Sequence, residues 1–267
     1  MNTKSLFQHE LHLSRKTFVT WLGIIAGLMI IFASTSSMLL DNDEMAELLK
    51  SYPPALLESF NINPESFITF EGWMSSEPYI FLNLLLGIFA ILLSAASVSR
   101  EIDDRTGEFL FTVPLSRRKI FLVKAASHLL QLSIVFAIAV AAAFLTGQTI
   151  AEIKNASGLF LIFLSAYFIS LACMGIGYLL TCLIDDERTA LSLGVGYVLL
   201  SFLFNMLAGL KGFVGELANV SIFRLFDVSV ILEKTALSPL SVAITLGLYL
   251  LGLIAAGEIL ARKNLAI

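Results

Sequence analysis

Charged residues are scarce in this chain. Of 267 residues only 14% are Asp, Glu, Lys or Arg, while 57% are hydrophobic, and the mean hydropathy is +0.87. Soluble domains carry about 25% charged residues, so a water-soluble globular protein is excluded and an integral membrane protein is implied. Long polar stretches are missing too, which leaves no room for a soluble domain of ordinary size. Cysteine is nearly absent: Cys173 and Cys182, nine residues apart on one helix, are about 13 Å apart along its axis. That is too far for a disulfide, and they read as small buried hydrophobes. There is no Gly-x-x-x-x-Gly-Lys-Ser/Thr phosphate loop, no His-Glu-x-x-His zinc motif and no Gly-x-Ser-x-Gly nucleophile elbow. The chain is therefore not itself expected to be an ATPase, a metalloprotease or a hydrolase. His9 and His12 are three apart with no third ligand in view, and His128 and Gln131 read as polar packing groups.

Present instead are six long apolar runs: Phe18–Leu40, Tyr79–Val98, Ala125–Gly147, Ser157–Ile184, Thr189–Leu210 and Pro239–Leu260. A hydrocarbon core about 30 Å thick takes roughly 20 residues of helix, and every backbone polar group in lipid must be satisfied within its own segment. Six transmembrane helices in an all-α fold follow. Basic residues orient them. With the N-terminus inside, twelve Lys and Arg fall on the cytoplasmic side, and only Lys50, Lys154, Lys211, Arg224 and Lys234 fall outside. Both termini are expected in the cytoplasm. The first run, which exceeds the 7–15 apolar residues of a secretory signal, reads as a retained span. Between Lys4 and Lys16, Leu6, Phe7, Leu11 and Leu13 oppose Lys4, Gln8, His12, Arg15 and Lys16, the pattern of an interfacial helix. A frayed basic terminus is the alternative. Ionisable residues within the spans, which mark ion and proton paths, are almost lacking. Glu258 lies within a turn of the cytoplasmic end, so a proton-coupled carrier is disfavoured. Asn83 and Asn205 remain as polar groups able to line something narrow. The outer loop 41–78 holds eight carboxylates and one lysine, with room for a short helix near Asp43–Ser51. The outer segment 211–238 is too broken to span and reads as re-entrant or interfacial.

A dense charged segment, 99–119, joins the second and third spans. Six basic and four acidic residues lie from Ser99 through Lys124. Ile102, Thr106, Phe109, Leu110 and Val113 recur at near-helical spacing. Gly107 weakens that helix but admits a close neighbour, Pro114 ends it, and Ser116 is placed to cap the next helix. A solvated positive-inside loop explains the basic residues but not Glu101, Asp103, Asp104 and Glu108. A short amphipathic helix docking on a protein surface explains both.

The run Arg100-Glu101…Asp104-Arg105-Thr106-Gly107-Glu108…Leu110…Pro114-Leu115-Ser116-Arg117…Lys124 resembles the signature of ABC-2 type permeases, the membrane subunits of bacterial ABC transporters with a type V-like exporter fold. The family's pattern is a glutamate, a Gly-Thr or Thr-Gly pair, a leucine, and Pro-x-Ser-Arg ahead of a lysine. The layout is similar as well. The tail departs from the family's Phe-x-x-Arg-Asp ending, with Asn264 in place of the aspartate. The resemblance implies that 99–119 is a coupling helix seated on a separate ATP-binding subunit. Glu101, Asp104, Arg105, Gly107, Glu108 and Leu110 would make the contacts, and Pro114 and Arg117 would set the elbow into the third span. It implies a permease rather than an enzyme, with ATP and Mg bound on the partner subunit and no cofactor in this chain. It further implies a second copy or a paralogous permease alongside, the bacterial inner membrane as location, and no nucleic acid. Export of an amphipathic, peptide, drug or lipid-like substrate is the expectation. A non-transporting scaffold, immunity or sensor protein using the same segment, and an intramembrane enzyme, are the competing readings.

Overall fold

The computed structural model describes residues 3–38, 40, 43–59, 62, 64, 67–100, 116–208, 210 and 212–262. Helices account for nearly all of them. A short helix α1 (Thr3–Leu13) turns at Ser14 into α2 (Arg15–Thr35). Two small helices, α3 (Asp43–Lys50) and α4 (Pro54–Ser59), and a single turn, α5 (Phe70–Met74), lead into α6 (Glu77–Ala95). Then come α7 (Arg117–Ile150), α8 (Ala156–Leu183) and α9 (Glu187–Met206). The turns α10 (Phe213–Glu216) and α11 (Val228–Lys234), with 3₁₀ turns between them, precede α12 (Pro239–Arg262). Among the described residues six helical runs are long and apolar enough to cross a membrane, which is the all-helical, six-span architecture the composition demands.

Helix α7 is longer than its apolar run. Its 34 residues measure about 51 Å against a hydrocarbon core of about 30 Å, so the helix continues past the apolar stretch into Arg117, Arg118 and Lys119. Ser116 starts it: its hydroxyl accepts from the Lys119 backbone N–H, satisfying one of the helix's unpaired donors.

Helices α6 and α8 form the centre. Their buried residues, from Leu82 to Ala95 and from Leu159 to Cys182, surround each axis. The outer helices bury single stripes, mostly at intervals of three or four residues: Ile25, Met29 and Ala33 on α2; Ala190, Gly194, Val198 and Ser201 on α9; Ser241, Thr245, Tyr249, Gly252, Ala256 and Leu260 on α12. Their other faces carry exposed Ile24, Ile31, Leu200, Leu203, Leu251 and Ile254, which only lipid or another apolar surface can cover without cost.

The contacts between helices are of two kinds. Where α8 meets α12, a Cβ added to Gly252 would collide with the carbonyl oxygen of Gly175, and one on Gly175 would sit 2.5 Å from that of Leu248. Small residues here let two backbones touch. Where α8 meets α7, aromatic rings hold the backbones apart: Phe121 with Tyr178 (centroids 5.2 Å), Phe136 with Tyr167 (4.9 Å) and Phe144 with Phe163 (6.2 Å). Helix α2 packs chiefly on α7, and α1 lies on α7 through Leu6, Ile120 and Val123. The Gly23-x-x-x-Gly27 pair on α2 meets nothing among the described residues, since a Cβ at either would have open space.

The end opposite α1 is knitted by loops. Trp73 Nε1 donates to the Phe32 carbonyl (2.7 Å). The buried carboxylate of Glu71 accepts from the Asn155 backbone N–H (2.6 Å). Asn155 in turn caps α8 and donates to the Leu232 carbonyl on α11.

Candidate functional site: the basic end of the bundle

One end of the bundle gathers α1, the exit of α6, the start of α7, the turn between α8 and α9, and the end of α12. Both stems of the charged segment emerge here. Thr181 on α8 fixes the first stem. Its Oγ1 accepts from the backbone N–H groups of Val98 (2.9 Å) and Ser99 (3.0 Å) and donates to Ser99 Oγ (3.3 Å). Two buried backbone donors beyond the end of α6 are thereby paired. One residue on, Arg100 Nε binds Glu187 Oε1 at 2.8 Å, tying the stem to the first turn of α9. There Asp186 caps the helix, accepting from the Thr189 backbone N–H (2.6 Å). Hydrogen bonds from the Thr189 side chain and backbone hold the Asp186 carboxyl below the usual carboxylate range.

The second stem is fixed from the other side. Arg118 pairs with Glu258 of α12 at 2.7 Å, on the surface. Glu258 also lies 3.9 Å from Arg262. Farther along α7, Lys124 Nζ meets Glu10 Oε1 at 2.7 Å, with the two side chains only 3% and 5% exposed. A buried pair of this kind depends on both partners, because the loss of either takes a close counter-charge from the other in a low-dielectric place. Beside it lies a cavity of about 200 Å³, bordered by Ser14 and Thr17 on one side and by Ala96, Ser97 and Arg100 on the other.

Of the residues singled out for partner contact, Arg117 stands at the first position of α7, half-buried. Glu101, Asp104, Arg105, Gly107, Glu108, Leu110 and Pro114 lie outside the described residues, as does the tail from Lys263 onward.

Sequence reasoning misses the acid that pairs with Lys124. The available signal is Glu10's place four residues after Leu6, on the face of α1 that packs against α7. His9 and His12 are exposed, and among the described residues no three His, Cys, Asp or Glu side chains come together to hold a metal. His128 is a packing group, stacked on Tyr178 at 6.1 Å with Nδ1 3.4 Å from its hydroxyl.

Both stems of the charged segment are thus held at one end of the six-helix bundle. A family model described as ABC-2 family transporter protein matches residues 6–254. The chain belongs to the ABC-2 transporter family. Members of this family are membrane components of transport that typically work with an ATP-binding subunit. The matched range takes in most of α1, the long helices as far as residue 254 of α12, and the charged segment between the two stems. No curated protein matches this ABC-2 chain.

Proposed function

We propose that this chain is the permease subunit of an ATP-driven exporter, worked by a separate ATP-binding subunit that docks on segment 99–119. The observation that carries the reading is the double anchorage of that segment. Thr181 and Glu187 hold one stem, and Glu258 and Glu10 hold residues Arg118 and Lys124 of the other. Force applied between the stems reaches α6, α8 and α9 through the first and α7, α12 and α1 through the second. ATP and Mg belong to the partner. The permease residues Glu101, Asp104, Arg105, Gly107, Glu108 and Leu110 supply the contact, with Pro114 and Arg117 at the elbow. The basic end is the cytoplasmic one, in a bacterial inner membrane, and the working unit holds two permease chains. The near-absence of charge in the spans suits an amphipathic, peptide, drug or lipid-like substrate.

The test is copurification with a phosphate-loop ATPase from the adjacent reading frame. Glu101→Lys and Glu108→Lys together are expected to lose the ATPase or uncouple its turnover. Unchanged copurification with unchanged turnover overturns the docking assignment and favours a scaffold.

A further inference from the structure

At the end opposite the basic rim, α6, α9 and the turns before α11 enclose a cavity of about 250 Å³. Its walls include Tyr79, Phe202, Phe223 and Phe226. Asn83, from the second turn of α6, also lines it; that residue is 3% exposed, and its Oδ1 has no hydrogen-bond partner among the described residues. An acceptor left unpaired in a buried place costs about 1–3 kcal/mol, so a donor that enters the cavity gains by reaching it. Asp227, an exposed residue, also borders the cavity, and its Oδ1 accepts from the Val230 backbone N–H at 3.2 Å. Arg224 lies on the same border and already has a partner.

We propose that this cavity binds a small organic amine with an apolar body, one ring or its equivalent in size. The proposal rests on the transport reading and names a substrate class for it. An ammonium supplies N–H donors for Asn83 Oδ1 and is attracted by the faces of the surrounding rings. Asp227 adds a carboxylate at the entrance. The volume lies below the 300–1,000 Å³ usual for drug-sized ligands, which limits the occupant to a compact molecule.

The experiment measures binding to the purified chain in detergent, without any ATP-binding subunit, so its failure leaves the docking assignment standing. Phenethylamine, phenethyl alcohol and ethylbenzene serve as probes: a charged donor, a neutral donor and no donor. Phenethylamine is expected to bind tightest. Asn83→Leu, which removes the orphaned acceptor and is expected to melt no lower than the wild type, weakens phenethylamine roughly tenfold, the equivalent of one charge-assisted hydrogen bond. Asp227→Asn keeps the helix cap and weakens phenethylamine but not phenethyl alcohol. Ethylbenzene binding as well as phenethylamine, equal phenethylamine binding by wild type and both variants, or no binding by any probe each overturns the proposal.

Discussion

Removing Glu10 tests whether α1 is part of the machine or an ornament on it. In Glu10→Ala, Lys124, whose side chain is 3% exposed in the intact pair, loses the Glu10 carboxylate and keeps its further interaction. Breaking a buried pair in this way costs about 3–5 kcal/mol. The further interaction of Lys124, and the neighbouring cavity of about 200 Å³ that gives water a route towards the ammonium, place the expected cost at the low end, about 3 kcal/mol. That is roughly a hundredfold in the equilibrium between docked and undocked α1. Hydrogen exchange of the α1 backbone amides reads it directly: protection is expected to fall roughly a hundredfold in Glu10→Ala and in Lys124→Ala. Because both single variants leave one buried charge, the double variant Glu10→Leu/Lys124→Met removes the penalty together with the pair and is expected to recover most of the protection. Unchanged exchange in Glu10→Ala, or a double variant whose loss equals the sum of the two single losses, would refute the reasoning.

Gly252→Ala forces α8 and α12 apart at a backbone-to-backbone contact and is expected to cost about 1–3 kcal/mol. Gly27→Ala, which meets open space, is expected to cost nothing and to gain up to about 1 kcal/mol of helix propensity; equal melting temperatures in detergent would contradict both. Arg118→Gln breaks a pair that is 57% and 41% exposed and is expected to cost less than about 1 kcal/mol, so its melting temperature should lie close to the wild type's and well above that of Glu10→Ala. Asp186→Ala removes a carboxylate whose folded form titrates below its unfolded value. The stability it contributes is fully present above the unfolded value of about 4 and is lost as pH falls through the folded one. The stability gap between wild type and Asp186→Ala, followed by denaturation, is therefore expected to stay constant from neutral pH to about pH 5 and to narrow in stronger acid.

The six spans are legible in the sequence because a membrane imposes length and apolarity on each run separately. The Ser116 cap is legible because capping is local. The pairings are not. Glu10 and Lys124 lie 114 positions apart, and no local rule joins them. A helical wheel of α1 puts Leu13 on its apolar face, yet Leu13 is 48% exposed, while Leu6 and Glu10 face α7. Glycine spacing misleads in the same way. The Gly23-x-x-x-Gly27 pattern meets nothing among the described residues, whereas Gly175 and Gly252, in different helices and in no shared motif, bring two backbones into contact. A small residue announces that something comes near without saying what. In the charged segment the structure describes the stems, while seven of the eight proposed contact residues lie outside the described residues.

The two kinds of helix contact divide the bundle mechanically. At Gly175 and Gly252 the backbones of α8 and α12 touch directly, so there one cannot slide past the other without backbone collision: the pair behaves as a weld. Between α7 and α8 lies a layer of rings, which can turn about their side-chain torsions and repack, and which behaves as a bearing. At the basic end the charged segment bridges that bearing, from α6, packed on α8, to α7 on the far side. A pull on that bridge would load both contacts, the bearing directly and the weld through Arg118 and Glu258, and the bearing is the one able to yield.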